Sequence, residues 1–443
     1  MKKLKAFASN CGLLLVVASG VVVWALLTWW AALALTVLFA LWMVLFRSGR
    51  RTASVTRVGV STLPQRLGSS SVVIIGIAGV VAVLVALLSM AQGYQDILRN
   101  TGSKHTAIVL RGGSASETTS VLSRADINTI KQAPGIARDS DGKLLASPEL
   151  VVAASLPLAG ATSDNDIGSV LLRGVGAEAW KVRSDVKIVK GRRFKTGMRE
   201  LVAGQGAARE FDLEPGQTVK LGPQAWKVVG IFASGNAMDS ELWGDGQTLA
   251  SVYRRGGSRQ SVTVRLDNVD AFDGFKAYLV GLPNLNVDAS TTLDYYSEKS
   301  EGITKILRVV GIVVGSIMAI GALFGALNCM FASVAMRARE IATLRAIGFR
   351  GLPVVVAVML ETMLLALLGG ILGGVIAWLV FNGYSASTVG GSGGLGQLSF
   401  QFHVSLPLLW NGLKWALAIG FIGGLFPAVR AARLPVSAAL RES

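Results

Sequence analysis

Between Pro353 and Phe381 the chain is apolar except for Glu361, the one carboxylate set inside a stretch long enough to cross a bilayer. A carboxylate in hydrocarbon is costly, so such a residue is paired, hydrogen-bonded or put to use. Three roles suit it: a structural group matched to a nearby arginine, a contact that couples movements, or a proton relay. It lies about two turns in from the basic end of its helix. That end is preceded by Met336 to Phe349, where Arg337, Arg339, Glu340 and Arg345 come before Gly348 and Arg350. If Met336 to Phe349 is helical, Ile341, Leu344, Ile347 and Gly348 fall near one face at i, i+3, i+6 and i+7, and the arginines spread around the other side. Such an element lies at a membrane surface or presents its edge to a partner.

Other chemistries find little support. The sequence contains no G-x-x-x-x-G-K-[ST], G-x-S-x-G or H-E-x-x-H, so this stretch is not expected to hydrolyse ATP by itself and the common hydrolase signatures are lacking. The two histidines, His105 and His403, stand in different regions, which argues against a His-rich metal site and a Ser/Asp/His triad. Cys11 and Cys329 both sit in apolar stretches, and no disulfide framework is implied. No catalytic, cofactor-binding or metal-ligating residue is therefore assigned, and an enzyme is not expected.

The elements that must position Glu361 and the basic run are membrane spans. Of the 443 residues 51% are apolar, and several uncharged runs exceed the roughly 18 residues that cross a bilayer. The net charge is +16, yet residues 92–302 hold 25 Lys and Arg against 24 Asp and Glu, which leaves 18 bases and 3 acids in and around the spans. The excess is topological; a nucleic-acid binder would concentrate it on a soluble domain.

Residues 11–46 are uncharged, between Lys2, Lys3 and Lys5 on one side and Arg47, Arg50 and Arg51 on the other. One straight helix would run ~54 Å against a ~30 Å core, so two short helices turning near Thr28 to Trp30 fit better, with both basic flanks cytosolic. The run is too long for a cleavable signal and no A-x-A site follows it. This gives an apolar hairpin and basic flank over 1–54, then an interfacial segment and first core span over 55–91, spanning from Val72 to Met90.

Residues 92–302 change character, with short β-rich runs such as TAIVLRGG, DVKIVKG, QTVKLG, AWKVVGIF and QSVTVRL and helical patterns near Arg124 to Gln132 and Ala271 to Leu279. They predict an extracytoplasmic α+β domain of two lobes, one an all-β insert over about 200–265. From 303 to 443 come three further spans, starting at Ile303, Pro353 and Leu408, with the basic helix at 335–350 between the first two. Gly311/Gly315 and Gly321/Gly325 form G-x-x-x-G pairs that allow close helix contact. Asn382 to Leu406, with GGSGGLG inside it, reads as a flexible outer loop, and Lys414 as snorkelling outward. The count is six spans, with both ends in the cytosol.

SVAMRAREIATLRAIGF, followed by a proline, Glu361 and Gly369-Gly-Ile-Leu-Gly-Gly, resembles the signature of the MacB/FtsX-like superfamily of ABC transporter permeases. GGLFPAVRAARLPVSAALR is similar to that family's ending. ADINTIKQAPGIARD, LLASPEL, LLRGV, IVKGRRF and Glu200 to Gly204 resemble its extracytoplasmic domain. The resemblance covers about residues 55–443; the hairpin over 11–46 departs from the family pattern. It implies a mechanotransmission permease of the bacterial inner membrane, with a periplasmic domain, that dimerises with a second copy or a paralogue. It also implies a separate ATPase that binds ATP and Mg, and export of an antibiotic, peptide or lipoprotein, with a periplasmic adaptor and outer-membrane channel as further partners. A signalling permease that activates a cell-wall hydrolase is the alternative. The ATPase contact falls on the matching segment, with Arg337, Arg339, Glu340, Ile341, Leu344, Arg345 and Gly348, and Glu361 holds that helix against its span.

Overall fold

The computed structural model describes residues 24, 28–61, 67–161, 166–222, 224–349, 351–388 and 398–433. In chain order the elements are helices α1 (Trp29–Leu45), α2 (Arg47–Ser61) and α3 (Leu67–Thr101), then β1 (Thr106–Arg111), α4 (Arg124–Lys131), β2 (Ala146–Pro157) and β3 (Ile167–Val175). There follow α5 (Ala179–Val182), β4 (Lys187–Gly191), β5 (Glu200–Gly204), α6 (Gln205–Glu210), β6 (Thr218–Leu221), β7 (Gln224–Ala233), β8 (Glu241–Asp245) and α7 (Gly246–Val252). The chain continues with β9 (Ser261–Arg265), α8 (Ala271–Val280), β10 (Val287–Thr291), α9 (Thr292–Met336), α10 (Ala338–Ala346) and α11 (Gly351–Phe381). It ends with β11 (Ser385–Ser387), β12 (Ser399–Gln401) and α12 (Leu406–Arg433). Two compact units result. The described parts of Met1–Met90, Leu307–Asn382 and His403–Ser443 form a helical unit, and those of Ala91–Ile306 and Gly383–Phe402 a sheet unit.

In the helical unit, α3, α9, α11 and α12 are the four described helices long and apolar enough to cross a membrane. Their contacts are made by small residues, because in lipid helices associate through close packing rather than by escaping water. A Cβ on Gly373 would lie 2.4 Å from the backbone oxygen of Ala78 on α3, and one on Gly424 of α12 would lie 2.1 Å from Thr362 Oγ1 on α11. The G-x-x-x-G expectation for α9 needs correction. Gly311 and Gly315 meet Leu87 and Leu84, but nothing lies within 4 Å of a Cβ at Gly321 or Gly325, which sit on the open face of α9 while Leu323 and Ala326 of the same turns pack against Gly423 of α12.

For the expected hairpin, the helix over Trp29–Leu45 begins where the turn was placed, and its first limb, apart from Trp24, lies outside the described residues. At Phe46 the backbone becomes extended and the chain bends by 99° into α2. That helix buries Thr52 and Val55 and leaves Arg47, Arg50, Arg51 and Arg57 exposed. The expected divisions at 54/55, 91/92 and 302/303 all fall inside helices, α2, α3 and α9 respectively. Helical hydrogen bonding propagates regardless of polarity, so a change in hydropathy does not end a helix.

The sheet unit holds one ten-stranded sheet in the order β10-β1-β9-β2-β3-β8-β5-β7-β4, with β6 paired to β7. Strand β2 joins its halves, pairing with β9 through Ala146–Glu149 and with β3 through Leu150–Pro157. The pairs β3–β8 and β5–β7 are parallel and the other pairs antiparallel. Two hydrophobic clusters cover it. One gathers Val109, Ile130, Val264 and Phe275 under α4 and α8, and the other Leu172, Leu201, Trp226 and Leu249 under α6 and α7. The helices at Arg124–Lys131 and Ala271–Val280 sit where periodicity predicts them.

The stretch over 200–265 is not all-β. It carries α6 and α7, which cover the sheet with Ala207, Ala208 and Leu249 on the buried side, and its strands continue the same sheet as their flanks. Nor is Asn382 to Leu406 wholly a loop: Ser385–Ser387 pairs with Ser399–Gln401, and Phe400 is buried edge-on against Tyr94. The GGSGGLG run lies outside the described residues.

Candidate functional site

The predicted coupling element is a nine-residue helix, α10, set between two spanning helices. Helix α9 ends at Met336 and the backbone breaks at Arg337, with φ −101° and ψ 8°. After Ala346 the chain turns through Gly348 at φ +101°, a left-handed conformation that costs glycine little. Arg350 lies outside the described residues. Helix α11 then starts at Gly351 with Pro353 in its first turn, where a proline removes no helical hydrogen bond. The helix is therefore shorter than the expected 335–350.

The break aims Arg337 inward. Its Nη1 donates to Glu361 Oε2 at 3.1 Å, and its Nε to Glu340 Oε2 at 3.0 Å. Arg337 is 8% exposed and Glu361 3%, so the lone carboxylate of the apolar run is paired across the α9–α10 junction with α11. A buried pair of this kind fixes which residues face each other, whatever its net contribution to stability, because removing either partner leaves the other charge uncompensated. Beside it, Ile341 joins Val334, Val354 and Val358 in the apolar cluster, and Ala342 is buried.

The face predicted from periodicity divides. Ile341 is buried and Leu344 half-buried, whereas Ile347 is 71% exposed because it follows the end of the helix. On α10 itself Arg339, Glu340 and Thr343 face out, and Met336 before the break and Ile347 and Gly348 after the helix end are exposed on either side of them. Arg345 is half-buried. Of the four charged residues assigned to a partner contact, Arg339 and Glu340 are thus exposed, and Arg337 is withdrawn as the link to Glu361. His105 and His403 stand in different units, both exposed.

Sequence reasoning missed a buried ionic cluster in the sheet unit. Arg173 on β3 reaches Glu117 Oε1 at 2.8 Å, Glu149 Oε2 of β2 at 2.6 Å and Glu241 Oε2 of β8 at 2.7 Å. Arg183 pairs with Glu149 through both oxygens. Ser261 Oγ donates to Glu117, and Trp243 Nε1 to Glu241. Burial disfavours the ionised form of Glu149, but the charges and hydrogen bonds of Arg183 and Arg173 outweigh it and hold the carboxyl below its ordinary value. Burial likewise opposes the Arg173 guanidinium, and Glu117, Glu241 and Glu149 raise it well above the ordinary value. The signal was present in LLRGV and SPEL, where one charge interrupts an apolar strand, a pattern that requires a buried partner.

The family described as MacB-like periplasmic core domain matches residues 70–282, and the one described as FtsX-like permease C-terminal matches residues 312–436. The macrolide export ATP-binding/permease protein MacB of Vibrio parahaemolyticus serotype O3:K6 is 26% identical over 388 residues, 78% of this chain and 56% of the relative. Its counterpart in Shewanella sp. (strain ANA-3) is 25% identical over 410 residues, 84% of this chain and 57% of the relative. The chain thus spans a little over half the length of the curated relatives it matches. The crystal structure of the periplasmic region of MacB from Actinobacillus actinomycetemcomitans aligns with a TM-score of 0.34 at 16% identity, covering 44% of this chain and 93% of that one. With one family matched from the first spanning helix through most of the sheet unit and the other over the last three spans and α10, this chain belongs to the MacB/FtsX-like superfamily of ABC transporter permeases.

Proposed function

We propose that this permease is the membrane subunit of an exporter driven by a separate ATPase, which binds ATP and Mg and docks on the outward side of α10. The observation that carries the reading is the division of labour within that helix. Arg337 is locked to Glu361 on α11, while Arg339, Thr343 and Ile347 stay open on the opposite side. A push on the open side passes through the ion pair into α11 and through the short break at Arg337 into α9. Helix α9 continues as one 45-residue helix to the sheet unit. Packed helices that slide by an ångström or two are an established form of such transmission. In this reading the sheet unit is periplasmic, α10 is cytosolic and the membrane is the bacterial inner membrane. The working form is a dimer of two copies or paralogues, and the cargo is an antibiotic, peptide or lipoprotein handed to an adaptor and outer-membrane channel. The relatives' names, macrolide export proteins with an ATP-binding part, support the export class.

The test is co-purification with the ATPase in mild detergent. The double variant Arg339→Glu, Ile347→Asn is expected to elute as the wild type does and to lose about tenfold or more of the retained ATPase, as for removal of two central interface residues. Undiminished retention in a folded variant would refute the docking site.

A further inference from the structure

Helix α2 carries a positive charge that nothing among the described residues answers. Arg47, Arg50, Arg51 and Arg57 recur at i, i+3, i+4 and i+10, which places them on one side of the helix, while Thr52 and Val55 are buried on the other. All four arginines are exposed, and none makes an ion pair or a side-chain hydrogen bond with a described residue. No Asp or Glu occurs in the sequence before Asp96, so the neighbouring chain supplies no counter-charge either. Guanidinium groups stay protonated at any physiological pH, and like charges three or four residues apart work against a helix. The stripe therefore calls for an anion from outside the chain.

Helix α1 indicates where that anion is met. Its 17 residues, none of them charged, make a helix of about 25 Å, close to the ~30 Å of a hydrocarbon core. Trp29 and Trp30 stack at its start, where an interface favours aromatic rings, and Leu33, Leu38, Val44 and Leu45 are exposed along it. The arginines begin two residues after Leu45, past the bend of 99°. That corner is tight: a Cβ on Gly49 would lie 2.1 Å from the Trp42 backbone oxygen. With α1 across the bilayer, α2 runs along the surface at the depth of the head groups, packed beside α11. The anions available there are lipid phosphates, which the planar fork of arginine matches with paired hydrogen bonds. We propose that α2 is a binding surface for anionic phospholipid head groups, whose phosphates are held by Arg47, Arg50, Arg51 and Arg57.

The test captures the lipids that adjoin α2. Ser54, exposed and at i+7 from Arg47 on the same side, is replaced by the photo-crosslinker p-benzoylphenylalanine in the full chain. The chain is reconstituted in bilayers of equal phosphatidylglycerol and phosphatidylcholine, and the captured lipid is counted by mass spectrometry. Phosphatidylglycerol should be favoured about fivefold, the preference that one basic residue confers. Most of that should go in 1 M salt, where charges are screened beyond about 3 Å. Replacing the four arginines together by Gln should abolish the preference, and replacing them by Lys should keep at least half of it, since the charge remains. Equal capture of the two lipids with the arginines present overturns the proposal, as does an undiminished preference in the glutamine variant. Capture of a protein chain in place of lipid, in membranes that also hold the ATPase, overturns it too. Should the glutamine variant fail to fold, the double variant Arg50→Gln, Arg51→Gln decides, with at least a twofold loss expected and an unchanged preference overturning the proposal.

Discussion

Arg173 and Arg337 are both arginines enclosed by protein, and they do different things with their carboxylates. Arg173 gathers Glu117, Glu149 and Glu241 from three segments of the sheet unit, so Arg173→Met should leave Glu117 and Glu241 buried without their cation, Glu149 keeping Arg183, and cost about 3–5 kcal/mol. Equilibrium unfolding followed by tryptophan fluorescence measures it, since Trp243 donates to Glu241 inside the cluster. Glu200 gives a pH signature. Hydrogen bonds from Arg192, aided by the backbone N–H of Lys195, hold its carboxyl down to about 2 from an ordinary 4.5. A depressed carboxylate stabilises the fold fully above its unfolded value, and that contribution is lost as pH falls from 4.5 towards 2. In Glu200→Gln this part of the acid sensitivity should disappear, leaving a flatter profile of melting temperature between those limits. Arg337, by contrast, joins only two carboxylates at a helix break, and Arg337→Met should loosen α10 from α11 while sparing the sheet unit. Hydrogen exchange over residues 338–346, faster in the variant than in the wild type, is the readout.

At the scale of elements, the four spanning helices are held by contacts so close that a single methyl group decides them. Gly373→Ala places a Cβ against the backbone oxygen of Ala78, which no rotamer change can relieve, so α3 and α11 must move apart. The melting temperature in detergent should fall by several degrees, corresponding to about 1–3 kcal/mol of overpacking. Gly321→Ala, with nothing within 4 Å of the new methyl, should leave it unchanged. The contrast matters because both glycines sit in similar small-residue runs, and the sequence assigned close contact to the α9 pair. Periodicity can tell that a face is small; it cannot tell which neighbour the face meets. The same holds for α10, whose apolar face was drawn through Ile347 as if the helix continued, whereas the turn at Gly348 releases that side chain outward.

For the whole molecule, the proposal sets α10 and the sheet unit on opposite sides of the bilayer. With Cys11 and Cys329 replaced by serine, a cysteine at Ser140 should react with an impermeant maleimide from outside intact spheroplasts. One at Thr343 should react only after the membrane is opened; both positions are exposed. Labelling of both from one side would end the mechanism. The sequence by itself determined the membrane class, the four described helices long and apolar enough to cross a bilayer, the β-rich domain between the first two and the basic helix ahead of Glu361. Each of these is a local property of hydropathy, charge and periodicity that a linear chain displays. Only the tertiary structure decided that Arg337 is the partner of Glu361, that Arg173 binds three distant carboxylates, and that the stretch over 200–265 carries helices and shares its neighbours' sheet. It also decided which glycines touch. Those are facts about pairs of residues far apart in the chain, and a pairing energy exists only once folding has brought both members together and removed the water between them.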